Sequence, residues 1–125
     1  MIEFHHTYKA YSNGYKALRD VTFKIGKGEF VFLTGPSGAG KTTMFKLISA
    51  YDRPTSGNVR VAGREISLLK PRELPFFRRH VGVVYQDFRL LRNRTVFENV
   101  ALPLVVRGES TLSIERRVMD VLDQV

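Results

Sequence analysis

The most constraining stretch of this chain is Gly35-Pro36-Ser37-Gly38-Ala39-Gly40-Lys41-Thr42, which stands between the apolar run Phe30 to Leu33 and a segment with helical periodicity. Glycines let successive backbone N–H groups turn inward around an anion, where side chains would obstruct it. A helix beginning near Lys41 adds the positive end of its dipole at the same point. Lys41 then reaches the β and γ phosphates as a point charge, and the Thr42 hydroxyl suits one position of an octahedral Mg²⁺ shell. Thr43, one residue on, is placed to donate to the α phosphate. The spacing G-x-x-x-x-G-K-[ST] arises by accident in about one chain in two hundred of this length, and the flanking strand and helix patterns make an accident rarer. The loop predicts a site for the phosphate tail of a nucleoside triphosphate. A dinucleotide fingerprint does not compete, because Gly38-Ala39-Gly40-Lys41-Thr42-Thr43 lacks the third glycine.

Around this loop the chain reads as α/β. Ile2 to Tyr8 and Leu18 to Ile25 alternate apolar with polar residues across the turn signal Ser12-Asn13-Gly14, which predicts an antiparallel pair. The turn Gly26-Lys27-Gly28 leads into Glu29 to Thr34, whose continuous apolar centre predicts a strand buried on both faces. Thr43 to Ala50 place Met44, Leu47 and Ile48 on one helical face. A short strand, Val59 to Ala62, is expected between the Arg53-Pro54-Thr55-Ser56-Gly57 turn and a turn at Gly63. Pro71 and Pro75 bracket a short helix running into Arg79, and Val81 to Tyr85 predict a second buried strand. Thr95-Val96-Phe97-Glu98 fits a capping box ahead of Val100 to Val106, with Pro103 expected to kink or end that helix. Ile114, Val118, Val121, Leu122 and Val125 keep helical spacing to the last residue with no closing signal, so the chain is expected to stop in mid-helix. His5 and His6, adjacent in a strand, are expected on opposite faces and unable to share a metal. His80 reads as a surface or half-buried histidine beside a strand.

Composition removes other classes. With 125 residues, 43% hydrophobic and 26% charged, the chain is globular rather than disordered, and zero cysteines exclude disulfides, iron–sulfur clusters and thiolate zinc sites. No apolar run approaches the ~20 residues that cross a bilayer, and the start has neither the basic nor the apolar region of a signal peptide. A cytosolic chain is expected unless a partner holds it elsewhere. The net charge of +8 is concentrated between residues 60 and 94, where nine basic face three acidic residues. A nucleic-acid-binding module would interleave aromatic side chains with those arginines, and only Phe76, Phe77 and Phe88 lie near. A GTPase would carry an Asn-Lys-x-Asp run, which is absent, and a P-loop kinase an arginine-rich lid after the loop. Hydrolysis requires an acidic strand end for Mg²⁺ and a group that orients water. No apolar run here ends in Asp-Glu, so no catalytic residue is assigned in this chain. Gln86, after Tyr85, is either a group that reaches Mg²⁺ or the lytic water, or a solvated loop glutamine.

Tyr11, the Gly35 to Thr42 loop, the Arg53 to Gly57 turn with Val61-Ala62-Gly63 after it, and Tyr85-Gln86-Asp87 before a helical region together resemble the nucleotide-binding domain of ABC transporters. The stretches Arg72 to Arg79 and Leu90 to Leu104 are similar to the FtsE family of cell-division ATP-binding proteins, more so than to the ATPases of lipoprotein release and macrolide export. The resemblance covers the whole chain. It implies a P-loop NTPase fold, with residues 1–86 as ATP-binding core and 87–125 as the start of a helical subdomain. It implies ATP and Mg²⁺ as cofactors, held by Tyr11 stacking on adenine, by Gly35, Pro36, Ser37, Gly38, Ala39, Gly40, Lys41, Thr42 and Thr43 as Walker A, and by Gln86 as the Q-loop glutamine on the metal beside Thr42. Phe88 to Pro103 would line the groove for an integral membrane partner of the FtsX type, and two ATPase subunits would pair. The pair would act at the cytoplasmic face of the bacterial inner membrane, where the arginine-rich stretch suits an anionic surface, and would regulate enzymes that cut septal peptidoglycan. The signature motif, the acidic Walker B strand and the switch histidine are missing. The chain therefore looks like the first half of such an ATPase, expected to bind ATP weakly and not to turn it over alone.

Overall fold

The alternating residues at the start of the chain form β1 (Ile2–Ala10) and β2 (Lys16–Ile25), an antiparallel pair, in the computed structural model, which describes residues 1–125. β3 (Ser56–Val61) pairs antiparallel with the other edge of β1, and β4 (Arg64–Glu65) folds back on β3 through the turn at Ala62 and Gly63. The sheet order is β2-β1-β3-β4. Phe4 stands at its centre, opposite Phe23 on β2 and Val59 on β3, with the two phenyl rings stacked at 4.6 Å. Against this face lies α1 (Lys41–Ile48), which buries Met44 and Leu47, the latter completely. Ile66 from a 3-10 turn, Leu69, and Phe77 from α2 (Leu74–Arg78) close the same core. Each fully buried side chain of this kind contributes about 1.5–3 kcal/mol of transfer free energy. The core thus holds α1, and with it the glycine loop, onto β2 and β3.

β1 is broken by a bulge. The register with both neighbours shifts after Phe4 and His5, and His6 takes a φ of 43°. The expectation that His5 and His6 point to opposite faces is corrected here: both are exposed, and their rings meet edge to face at 4.7 Å. The extra residue of a bulge cancels the strict alternation of a strand. His6 Nδ1 lies 2.6 Å from Asp20 Oδ1. Thr7, fully buried, donates its hydroxyl to the Asn58 carbonyl at 2.9 Å, which satisfies a polar group inside the sheet.

Two further expectations are corrected. Glu29 to Thr34 and Val81 to Tyr85 form no strand, and Phe30 and Phe32 are 85% and 79% exposed. A buried strand needs a neighbour for its alternate N–H and C=O groups, and β1 to β4 make the sheet's pairings among themselves. The short helix expected after Pro71 is present as a 3-10 turn, Pro71–Glu73, followed by α2.

The chain divides into two compact units, Met1–Val81 and Gly82–Val125. The second contains α3 (Val96–Arg107) and α4 (Thr111–Leu122). The capping box forms as read: Thr95 Oγ1 accepts from the Glu98 N–H at 3.2 Å, and Glu98 Oε2 accepts from the Thr95 N–H at 2.8 Å. α3 does not end at Pro103 but continues to Arg107, where Gly108 at φ 78° stops it. α4 starts at the Ser110 cap and stops at Leu122, three residues short of the expected run. Ala101, Ile114 and Val118 form the buried centre between them, flanked by Phe97, Val100, Leu104 and Leu122. No helix is long and apolar enough to cross a membrane.

Candidate functional site

The loop from Gly35 to Gly40 enters α1 through three glycines with φ of 149°, 79° and 91° at Gly35, Gly38 and Gly40, a region that side-chain-bearing residues rarely adopt. Gly40 also sits hard against β2. A Cβ there would lie 2.7 Å from the Ala17 carbonyl oxygen and 2.8 Å from Leu18 Cδ2, so only glycine lets the loop rest on the strand. Gly40 caps α1 without a side chain, and no acidic residue stands in the first turn. The open N–H groups and dipole of the helix therefore face the cleft uncompensated.

Lys41 Nζ donates to the carbonyls of Gly35 at 2.7 Å and Pro36 at 2.6 Å, which stretches its cation across the loop. Ala39 N–H donates to the Pro36 carbonyl at 3.3 Å and tightens the same turn. The Thr42 hydroxyl is exposed at the start of the helix, while Thr43 is buried with its hydroxyl 3.3 Å from the Tyr11 hydroxyl. Tyr15, Ser37, Gly38, Gly40, Lys41, Thr42 and Thr43 line a cleft of about 500 Å³, and no carboxylate is among them. The three carboxylates held below their ordinary range, Glu3, Glu98 and Glu109, all lie elsewhere. The cleft is thus a cationic, N–H-rich cavity fit for a polyanion.

Of the residues expected from the sequence, Ser37, Gly38, Gly40, Lys41, Thr42 and Thr43 line the cleft, and Tyr11 meets them through its hydroxyl at Thr43. Tyr11 is half-buried under Lys9, whose Nζ stands 5.1 Å over its ring and is itself anchored by Asp52 at 2.5 Å and the Arg53 carbonyl at 2.8 Å. Gln86 belongs to the second unit, exposed on a turn after Tyr85. Tyr15 was not legible as a site residue. Its ring lies within 10° of parallel to Tyr11, with centroids 6.4 Å apart, and its hydroxyl donates to the Gly38 carbonyl at 2.9 Å. Its sole sequence signal is an aromatic residue beside a turn.

Three arginines of the middle stretch pack on rings of this chain. Arg78 stacks on Tyr51 and donates to the Ala50 carbonyl, Arg79 covers Phe76, and Arg89 covers Tyr85. Of the three rings near that stretch, Phe76 is covered by Arg79 and Phe77 is buried in the core, while Phe88 is exposed.

The sequence pattern that describes ABC transporters matches residues 18–125, which include the whole glycine loop and the four helices that follow. This chain belongs to the ABC transporter family. Its full length aligns at 50% identity with the cell division ATP-binding protein FtsE of Escherichia coli strain K12, covering 56% of that protein. It aligns equally, at 50%, with FtsE of Bacillus subtilis strain 168, covering 55%. In three dimensions 98% of the chain superposes on 56% of a dimeric ATP-binding cassette in a post-hydrolysis state bound to ADP and Pi, with a TM-score of 0.88 and 35% identity. The chain spans about half the length of the curated relatives it matches. Within the family it is similar to the first half of FtsE.

Proposed function

We propose that this chain is the ATP-binding part of an ABC ATPase of the FtsE type, working with an integral membrane partner of the FtsX type to regulate septal peptidoglycan hydrolysis. The observation that carries the reading is the uncompensated start of α1 under a glycine loop bridged by Lys41. Backbone N–H groups, a helix dipole and one cation converge where a triphosphate lies along the loop. Tyr11, whose hydroxyl lies 3.3 Å from that of Thr43, is the aromatic ring assigned to the base. Mg²⁺ fits the donor set, because the exposed Thr42 hydroxyl is a hard oxygen ligand at the phosphate end of the cleft. Thr42 would hold the ion, and the bound ion would supply charge neutralisation of the β and γ phosphates. The arrangement would bind and orient the nucleotide, and turnover is assigned to a pair of ATPase subunits at the cytoplasmic face of the inner membrane.

Alignment with FtsE along the whole chain, at 50% identity, supports the division role over lipoprotein release or drug export. With Phe76 covered by Arg79 and Phe77 buried, Phe88 alone is left of the candidate rings, which disfavours a nucleic-acid module. A chimera tests the assignment: residues 1–125 replace the aligned segment of the E. coli protein in cells that depend on it. Division is expected to be restored by this chimera and not by its Lys41→Ala form. Filamentous growth with the unaltered chimera, expressed at the level of the native protein, would contradict the division role.

A further inference from the structure

The cleft has a wall that the loop motif does not include. Tyr15 is 48% exposed, lines the cleft, and donates its hydroxyl to the Gly38 carbonyl 23 residues away. Its backbone is fixed by the hairpin turn: Tyr11 N–H donates to the Tyr15 carbonyl at 2.9 Å, and Tyr15 N–H donates to Asn13 Oδ1 at 3.1 Å. Gly38 holds the crown of the loop at φ 79°. Because the peptide unit is planar, fixing the Gly38 carbonyl also fixes the plane that carries the Ala39 N–H. A glycine-rich loop without such a tether samples many conformations and must be ordered when the ligand binds. The Tyr15 ring, on the cleft wall, stacks within 10° of parallel to the Tyr11 ring behind it.

We propose that Tyr15 is a positioning residue of the nucleotide site: its hydroxyl holds the crown of the phosphate loop in its anion-binding shape, and its ring adds a second flat surface for the purine base. The inference rests on the nucleotide-binding reading above and deepens it. The hydroxyl acts on the phosphates, so its loss weakens every ligand with a phosphate tail alike. The ring acts on the base, so its loss weakens only ligands that carry one.

Titration calorimetry of the chain with ATP and with inorganic tripolyphosphate separates these effects. Tyr15→Phe is expected to weaken both ligands by a common factor of about five, the worth of one ordinary hydrogen bond. Tyr15→Ala is expected to bind tripolyphosphate as Tyr15→Phe does and to lose roughly a further fivefold or more for ATP alone, as base stacking on an aromatic ring predicts. A merely structural role would not divide the two ligands in this way. Wild-type affinity of Tyr15→Phe for both ligands, with Lys41→Ala still defective, would overturn the role of the hydroxyl. Equal losses for both ligands in Tyr15→Ala would overturn the role of the ring. Unchanged binding in Lys41→Ala, or none in the wild type, would instead sink the nucleotide-binding reading, and this inference with it.

Discussion

Gly57 and Gly108 have nearly the same backbone angle, φ of 76° and 78°, yet their surroundings differ completely. A Cβ on Gly57 would fall 1.9 Å from the His6 carbonyl oxygen, inside the bulge of β1, whereas a Cβ on Gly108 meets nothing within 4 Å. Gly108→Ala therefore suffers only the left-handed backbone penalty, about 1 kcal/mol. Gly57→Ala adds a backbone clash that the sheet cannot relieve without giving up the bulge, and is expected to cost about 3 kcal/mol or more. Urea unfolding of the two variants measures the difference; equal destabilisation would show that the bulge is not as tight as described. At this scale the loop was readable, because glycine, lysine and threonine at fixed spacing have one physical use together. The His5 and His6 contact was not, because a bulge depends on how β1 meets Gly57, half the chain away.

The elements differ in how locally they are determined. The β1 and β2 pair, α1 and the cap of α3 each form from signals within their own residues: alternation, helical spacing, and the Thr95 to Glu98 box. The runs Phe30 to Leu33 and Val81 to Tyr85 carry the composition of buried strands, but a strand also requires a neighbour, and composition does not supply one. Pro103 is tolerated inside α3 although it removes one backbone donor, a tertiary outcome that local rules oppose. The Glu98 carboxylate is held below its ordinary range first by the Thr95 backbone N–H and then by Arg94. A lowered carboxylate contributes stability that is present above its unfolded pKa and is lost as pH falls through its folded one. Helicity of the second unit should thus fall on acidification below the ordinary glutamate range, and Glu98→Gln should flatten that dependence. An unchanged acid profile in Glu98→Gln would refute the cap's electrostatic part. Thr95→Ala, which removes the oxygen that accepts from Glu98 N–H, should cost about 1 kcal/mol at neutral pH.

Across the whole molecule the apolar burial is uneven. The first unit is built on ten buried apolar side chains that join sheet, α1 and α2, and the second on three. Local stability follows buried contact, so amides of α3 and α4 are expected to exchange with solvent well before those of β1, β3 and α1. Hydrogen exchange read by mass spectrometry checks this; equal protection of both units would contradict it. The stronger unit is also the one that carries the glycine loop, which places the cleft on the most firmly held part of the chain. The proposed role of this cleft is to bind the phosphates of ATP through the loop and Lys41. Thermal unfolding with and without Mg-ATP tests it most directly, since a ligand at a hundred times its Kd adds about 2.7 kcal/mol to the folded state. A raised unfolding temperature is expected for the wild-type chain and none for Lys41→Ala, while equal shifts in the two proteins would contradict phosphate binding at the loop.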